Sequence, residues 1–241
     1  MVNKKKKKRY RLKKWVKVTL WISFIISVLT ITSLLLFDKY KDNIPKEKEI
    51  PDISTLRLNY QNTDIMARIV IDSIKLDAIV TKTSDNEYYL EHDLNKKKSI
   101  IGNPYIDYRN NNDLAHEKQI NIYSHNVRDK QYRDYYPFSK LEQLLDMGTF
   151  NKSSDIIIYT DNRILKYQIY AIKIITKEEN EHMRLITNKN TEWQNHLDIL
   201  LNGNKYCKGN CKLDIDDDIL VLQTCYYQMD DAYILVIARK I

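Results

Sequence analysis

Apolar positions come in two kinds along this chain. From Ile65 onward they form short clusters rich in Ile, Val and Tyr: ARIVI (67–71), DAIVTK (77–82), QINIYS (119–124), DIIIYT (155–160), ILKYQIYAIKII (164–175), DILVLQT (218–224) and AYILVIA (232–238). β-Branched and aromatic side chains suit a pleated, half-buried surface, so each cluster predicts a strand. Two stretches follow helical spacing instead, YPFSKLEQLLDM (136–147) and TEWQNHLDILLN (191–202). In the second, Trp193, Leu197, Leu200 and Leu201 share one face, Thr191 stands where an N-cap belongs, and Gly203 follows as a stop. Seven or eight strands with few helices predict a mostly β fold, a barrel or sandwich with peripheral helices. Several strands are apolar on both faces, as in a closed and covered barrel. With 4 glycines in the whole chain, the turns must rest on Asn and Asp, as in RNNND and TDNR.

The second kind of apolar stretch is a single run, Val18 to Phe37, without a charge. As a helix it spans ~30 Å, the thickness of a bilayer's hydrocarbon core. A cleaved signal peptide would have a shorter apolar region ending in small residues, whereas this one runs into LLLFDKYKDN. The run therefore predicts an uncleaved transmembrane anchor over 18–37. Residues 1–17 form a basic tail, which the positive-inside rule keeps in the cytoplasm, with the rest of the chain outside. Residues 38–60, charged and with two prolines, read as a linker or short helical stalk, and 61–241 as the extracellular domain.

Charge follows the same division. Ten of the 39 Lys and Arg lie before residue 38, and all 32 Asp and Glu lie from residue 38 onward, so the folded part is slightly acidic. The net charge of +7 belongs to the tail, and a nucleic-acid partner is not expected.

The 3 cysteines are too few for a disulfide framework. Cys207 and Cys211 could bridge each other or remain thiols, and neither has enough neighbouring ligands for a metal. Cys225 is odd in either case. It ends the strand LVLQTC and precedes a polar turn, which holds a thiol rigidly yet accessibly. The thiolate is the reactive form, so a nucleophilic Cys225 needs a partner, usually histidine. His92, His116, His182 and His196 stand among charged or polar neighbours and read as surface residues. His125 ends the apolar strand INIYSHN as Cys225 ends its own, and two strand ends of one barrel can meet at one rim.

Several segments together resemble the class B sortases, membrane-anchored transpeptidases of Gram-positive bacteria. They are DNEYYLEHDLNKKKSIIGNPYIDYRN (85–110), INIYSHNVRD (120–129), LVLQTC (220–225) and YYQMDDA (226–232). The resemblance runs from about residue 60 to the C-terminus. It implies an eight-stranded sortase-type barrel with an added helix between the sixth and seventh strands, which 191–202 would supply. It implies Cys225 as nucleophile and His125 as general acid/base. It further implies substrate contacts at Tyr123, Asn86 and Leu90, and at Gln223 and Thr224 beside the nucleophile. The implied reaction cleaves a C-terminal sorting signal after Thr through a Cys thioester and passes the protein to an amine of peptidoglycan or a pilin. The implied partners are surface proteins bearing such signals, that amine, and the membrane. No metal or organic cofactor is implied.

Two positions depart from the family pattern. Ser124 stands where Gly usually precedes the histidine. The catalytic arginine, expected about eight residues after the cysteine, is replaced by Tyr233, and the nearest later arginine is Arg239. Either is a candidate for the arginine's task. The departure leaves two further readings open: a weakened, sortase-fold binding module, or a thiol hydrolase of the same peptides.

Overall fold

The computed structural model describes residues 13–42, 52–183 and 190–241. The chain divides into two units, Met1–Ile50 and Pro51–Ile241. In the first, helix α1 spans Lys14–Asp42, and its segment Lys14–Ser33 is long and apolar enough to cross a membrane. It covers the predicted anchor.

The second unit begins with α2 (Ile53–Tyr60), capped by the Asp52 side chain, which accepts from the Thr55 amide. Ile53 and Leu56, one turn apart, are buried with Ile65. Within the 38–60 segment read as linker or stalk, α2 thus packs on the barrel it precedes.

All seven predicted strands are present: β1 (Ile65–Ile71), β2 (Leu76–Thr81), β4 (Gln119–Tyr123), β5 (Ile156–Tyr159), β6 (Ile164–Thr176), β8 (Ile219–Tyr226) and β9 (Ala232–Lys240). Two short strands join them, β3 (Tyr105–Ile106) and β7 (Tyr206–Cys207). The order is β5-β1-β2-β3-β4-β8-β9-β6, and β6 pairs back to β5 to close an eight-stranded barrel. β7 lies outside the ring on β6. Closure leaves no free edge among these eight strands.

Alternation sorts each strand between two cores. Ile120 and Ile122 of β4, Leu220 and Leu222 of β8, and Ile234 and Val236 of β9 fill the barrel. Ile219, Val221, Leu235 and Ile237 face outward beneath α5 (Asn190–Leu201), which buries Trp193, Leu197, Leu200 and Leu201 on them. This helix sits between the sixth and seventh strands, with Thr191 inside its first turn. Two shorter helices complete the unit, α3 (Met147–Asn151) and α4 (Lys177–Met183). The helix predicted over 136–147 is instead a run of 3-10 turns, Pro137–Leu145. It stops at Asp146, whose carboxylate accepts from the Thr149 amide and so starts α3. Cys207 and Cys211 form a disulfide, and Cys225 is the free thiol.

Candidate active site

The site grows from one parallel pairing. β4 and β8 are hydrogen-bonded neighbours with constant register, Gln119 beside Ile219 through Tyr123 beside Gln223. Beyond the last pair the Ser124 amide donates to the Gln223 carbonyl (3.2 Å), and the Thr224 hydroxyl donates to the Ser124 carbonyl (2.9 Å). Carried one step further, the register sets His125 level with Cys225. With a period of two, Tyr123 on β4 and Gln223 and Cys225 on β8 share the outer face, and His125 follows two residues after Tyr123. Ser124 keeps a negative φ, so glycine is not required there.

On the other side of β8 the antiparallel register pairs Cys225 with Tyr233 of β9. Leu90, Tyr105, Tyr123, Ser124, His125, Gln223, Thr224, Cys225 and Tyr233 line one cleft of about 180 Å³. Seven of the nine residues named from sequence thus come together there. Asn86 does not line the cleft, and its Oδ1 accepts from the Tyr108 amide (3.0 Å). Arg239 lies at the far end of the strand pair, opposite Ile219, with its guanidinium 5.3 Å from the Tyr170 ring centroid. From Cys225 to Ile219 is six residues, or ~20 Å along a strand.

One backbone carbonyl holds the His125 ring, and one side-chain amide holds the Cys225 backbone. His125 Nε2 lies 2.9 Å from the Leu90 carbonyl. A carbonyl only accepts, so Nε2 carries the hydrogen and Nδ1 the lone pair. Leu90 ends a short 3-10 turn, Tyr88–Leu90. Gly102 backs this turn with φ +62°, and a Cβ there would come within 2.4 Å of the Tyr89 carbonyl oxygen and 2.8 Å of that of Leu90. Only glycine permits that approach. Asn126 spends its two amide hydrogens on the Cys225 carbonyl and on Glu142 Oε1, both at 2.8 Å. Glu142 in turn pairs with Arg133.

Tyr123 is anchored from below. Its hydroxyl donates to Asp107 Oδ2 (2.8 Å), and Arg109 pairs with the same carboxylate. Burial pushes the Asp107 carboxyl up, but the hydrogen bonds from Arg109 and Tyr123 outweigh it and hold it below the usual range. Asp107 therefore stays charged and fixes the tyrosine wall of the cleft. Burial pushes the Cys225 thiol above its ordinary value, while a hydrogen bond with the Tyr227 hydroxyl pulls the other way. The sulfur thus rests as a thiol and needs a base.

Tyr105, Glu142 and Tyr227 escaped the sequence reading. The histidine reading needs one correction. His196 is not a surface residue: it is 2% exposed, its Nε2 donates to Gln119 Oε1 (2.6 Å), and its ring stacks on Trp193. His116 is exposed beside Asp113, and His92 is half-buried with its ring stacked on Tyr88. The surroundings of His182 lie outside the described residues.

A closed eight-stranded barrel with a cysteine and a histidine level on adjacent parallel strand ends defines a thiol active-site scaffold. The sortase domain model matches residues 69–240, and the chain belongs to the sortase family. Its relatives are of class B. It is 25% identical to sortase B of Listeria monocytogenes over 170 residues, 70% of this chain but only 65% of that protein's length. It is 27% identical to sortase B of Staphylococcus aureus over 189 residues, covering 75% of this chain and 71% of the relative. Among solved structures, sortase B of Clostridium perfringens superposes with a TM-score of 0.70 at 24% identity, covering 78% of this chain and 98% of the other.

Proposed function

We propose that this chain is a membrane-anchored cysteine transpeptidase of sorting-signal proteins, with Cys225 as nucleophile and His125 as general acid/base. The observation that carries the reading is the level arrangement of Cys225 and His125 at one cleft, with Tyr233 opposite the sulfur. Cys225 gives its proton to the unprotonated nitrogen of His125, and the sulfur attacks the Thr carbonyl of the signal. The tetrahedral adduct collapses, the C–N bond breaks, and His125 returns the proton to the departing amine. A thioester remains. An incoming amine of peptidoglycan or a pilin loses a proton to His125 and attacks; the C–S bond breaks and the thiol is restored.

Tyr233 takes the arginine position and donates a neutral hydrogen bond to the developing oxyanion. That is weaker than a guanidinium's, so the enzyme is slow. Tyr123, Leu90, Gln223 and Thr224 contact the signal, and Asn86 acts at one remove by holding the 107–109 turn. The basic tail is cytoplasmic, α1 is the anchor, and the barrel works outside the membrane. The Tyr233 substitution favours one second reading, hydrolysis of the same thioester when no amine arrives.

The test is intact-mass spectrometry of the protein with a library of Thr-containing signal peptides, with and without an amine acceptor. A thioester on Cys225 that the amine resolves into ligated product is the expected result. It should vanish in Cys225→Ala and persist when Cys207 and Cys211 are both alanine. Ligated product from Cys225→Ala would remove the reading, and a thioester released only by water would make the chain a hydrolase.

A further inference from the structure

Beyond Tyr123 and Gln223 the pairing of β4 with β8 passes from backbone to side chains. In a parallel ladder alternate amides of one strand donate to alternate carbonyls of its neighbour, at even spacing. The Ser124 amide makes one such bond, to the Gln223 carbonyl. The next rung belongs to Asn126 and Cys225. Its donor is the Asn126 side chain, whose Nδ2 lies 2.8 Å from the Cys225 carbonyl oxygen. His125 and Cys225 therefore stand at the step where a rotatable side chain sets the gap between the strands. Such a rung is only as firm as whatever holds its rotamer.

Glu142 holds it. Its Oε1 accepts the other hydrogen of Asn126 Nδ2 at 2.8 Å, and its Oε2 pairs with Arg133. The two partners of Nδ2 are a carbonyl and a carboxylate, which only accept, so the amide cannot be turned over. Asn126 Oδ1 in turn accepts from the Val127 amide (2.8 Å). The base of Glu142 is rigid. It belongs to the run Pro137–Leu145, whose Phe138, Leu141 and Leu144 are buried in the barrel core. Ser139 of the same run donates its hydroxyl to the Arg133 carbonyl (2.7 Å), which ties the arginine to that base. The Glu142 side chain is 8% exposed, and both of its oxygens are engaged.

We propose that Glu142 is a positioning residue for the Cys225–His125 pair: through Asn126 it fixes the last rung between β4 and β8, and with it the distance across which the thiol proton passes. This rests on the reading of Cys225 as nucleophile and His125 as its base. Arg133 keeps the carboxylate in place. Glu142 itself takes no proton and touches no substrate. Without its carboxylate, Asn126 is free to leave the Cys225 carbonyl and the two strand ends can part. His125, next to Asn126 in the chain, moves with it. Cys225 then keeps its proton at neutral pH, because burial already disfavours its charge.

The experiment is iodoacetamide alkylation of Cys225 in the full chain in detergent, its rate followed by intact mass at pH 7 and at the high-pH plateau. Cys225 is the free thiol, while Cys207 and Cys211 are bridged. Wild type is compared with Glu142→Ala, Glu142→Gln, His125→Ala and the double variant Glu142→Ala with His125→Ala. Alkylation follows the thiolate fraction, and one unit of thiol pKa changes that fraction about tenfold well below the midpoint. At pH 7, Glu142→Ala and His125→Ala should each be about tenfold slower than wild type, and the double variant no slower than either. At the plateau, where the thiol ionises unaided, all should react alike. Glu142→Gln should fall between wild type and Glu142→Ala, since its amide oxygen still accepts from Asn126 but no longer pairs with Arg133. A merely structural role would lower the plateau and multiply the effect of His125→Ala. Wild-type reactivity of Glu142→Ala at pH 7, or multiplied effects in the double variant, overturns the proposal. Glu142→Gln as slow as Glu142→Ala overturns the route through Asn126. An unchanged rate in His125→Ala removes the Cys225–His125 pairing itself, so that failure is told apart from a failure of Glu142 alone.

Discussion

His196 ties α5 to β4, the strand that leads to His125, and its burial makes that tie pH-dependent. Its Nε2 donates to Gln119 of β4, whose amide donates to Asn121 two residues nearer the cleft. Burial lowers its pKa from 6.5 to about 4. The folded state therefore resists protonation that the unfolded chain accepts. This stabilisation is fully present above the unfolded value of 6.5 and is lost as pH falls toward 4. Linkage with these two values gives a loss of about 2 kcal/mol between pH 7 and pH 5, from this group alone. The assay is urea unfolding of the chain from Pro51 onward, followed by Trp fluorescence at both pH values, in wild type and His196→Gln. Glutamine retains a polar group but does not titrate. Wild type should lose about 2 kcal/mol more than the variant on acidification. Carboxylates titrate alike in both proteins, so they cancel. Equal losses in the two would refute the reasoning and mean that water or a rearranged α5 reaches the imidazole.

Three further outcomes are expected. His125→Ala should slow peptide cleavage at least ~100-fold, the scale of a positioned acid/base, while His92→Ala and His116→Ala change it little. For the arginine position, steady-state cleavage should be faster in Tyr233→Arg, slower in Tyr233→Phe and unchanged in Arg239→Ala; a crippled Arg239→Ala would contradict the β8–β9 register. A chain beginning at Pro51 should remain monomeric without detergent by light scattering, because α2 and the barrel bury their own apolar faces.

Legibility followed length and period. The seven longer strands announced themselves through Ile, Val and Tyr, whereas β3 and β7, two residues each, carry no period to read. The 136–147 segment has helical spacing, but spacing does not reveal that Asp146 caps a new helix rather than continuing the old one. In α5 the face of Trp193, Leu197 and Leu200 was plain. His196, three residues after Trp193 on that same face, was misjudged from its polar neighbours in sequence instead of its neighbours on the helix. Cys225 and His125 were legible because strand ends are visible. Glu142 and Tyr227 were not, since their positions depend on which loop crosses the end of β8, and a single sequence holds no signal for that.

The strand order has a consequence for the order of synthesis. β8 lies between β4 and β9, and β9 joins it to β6. Until residues from Ile219 onward are made, β4 and β6 each present an unpaired edge, and the ring cannot close. The Cys207–Cys211 pair, four residues apart, is complete before Cys225 exists, so those two sulfurs can find each other without competition from the third. The free thiol of Cys225 enters on the same segment that seals the barrel. A chain halted short of that segment has open edges but no free Cys225 thiol, and once the thiol is made only β9 is still needed to close the ring around it.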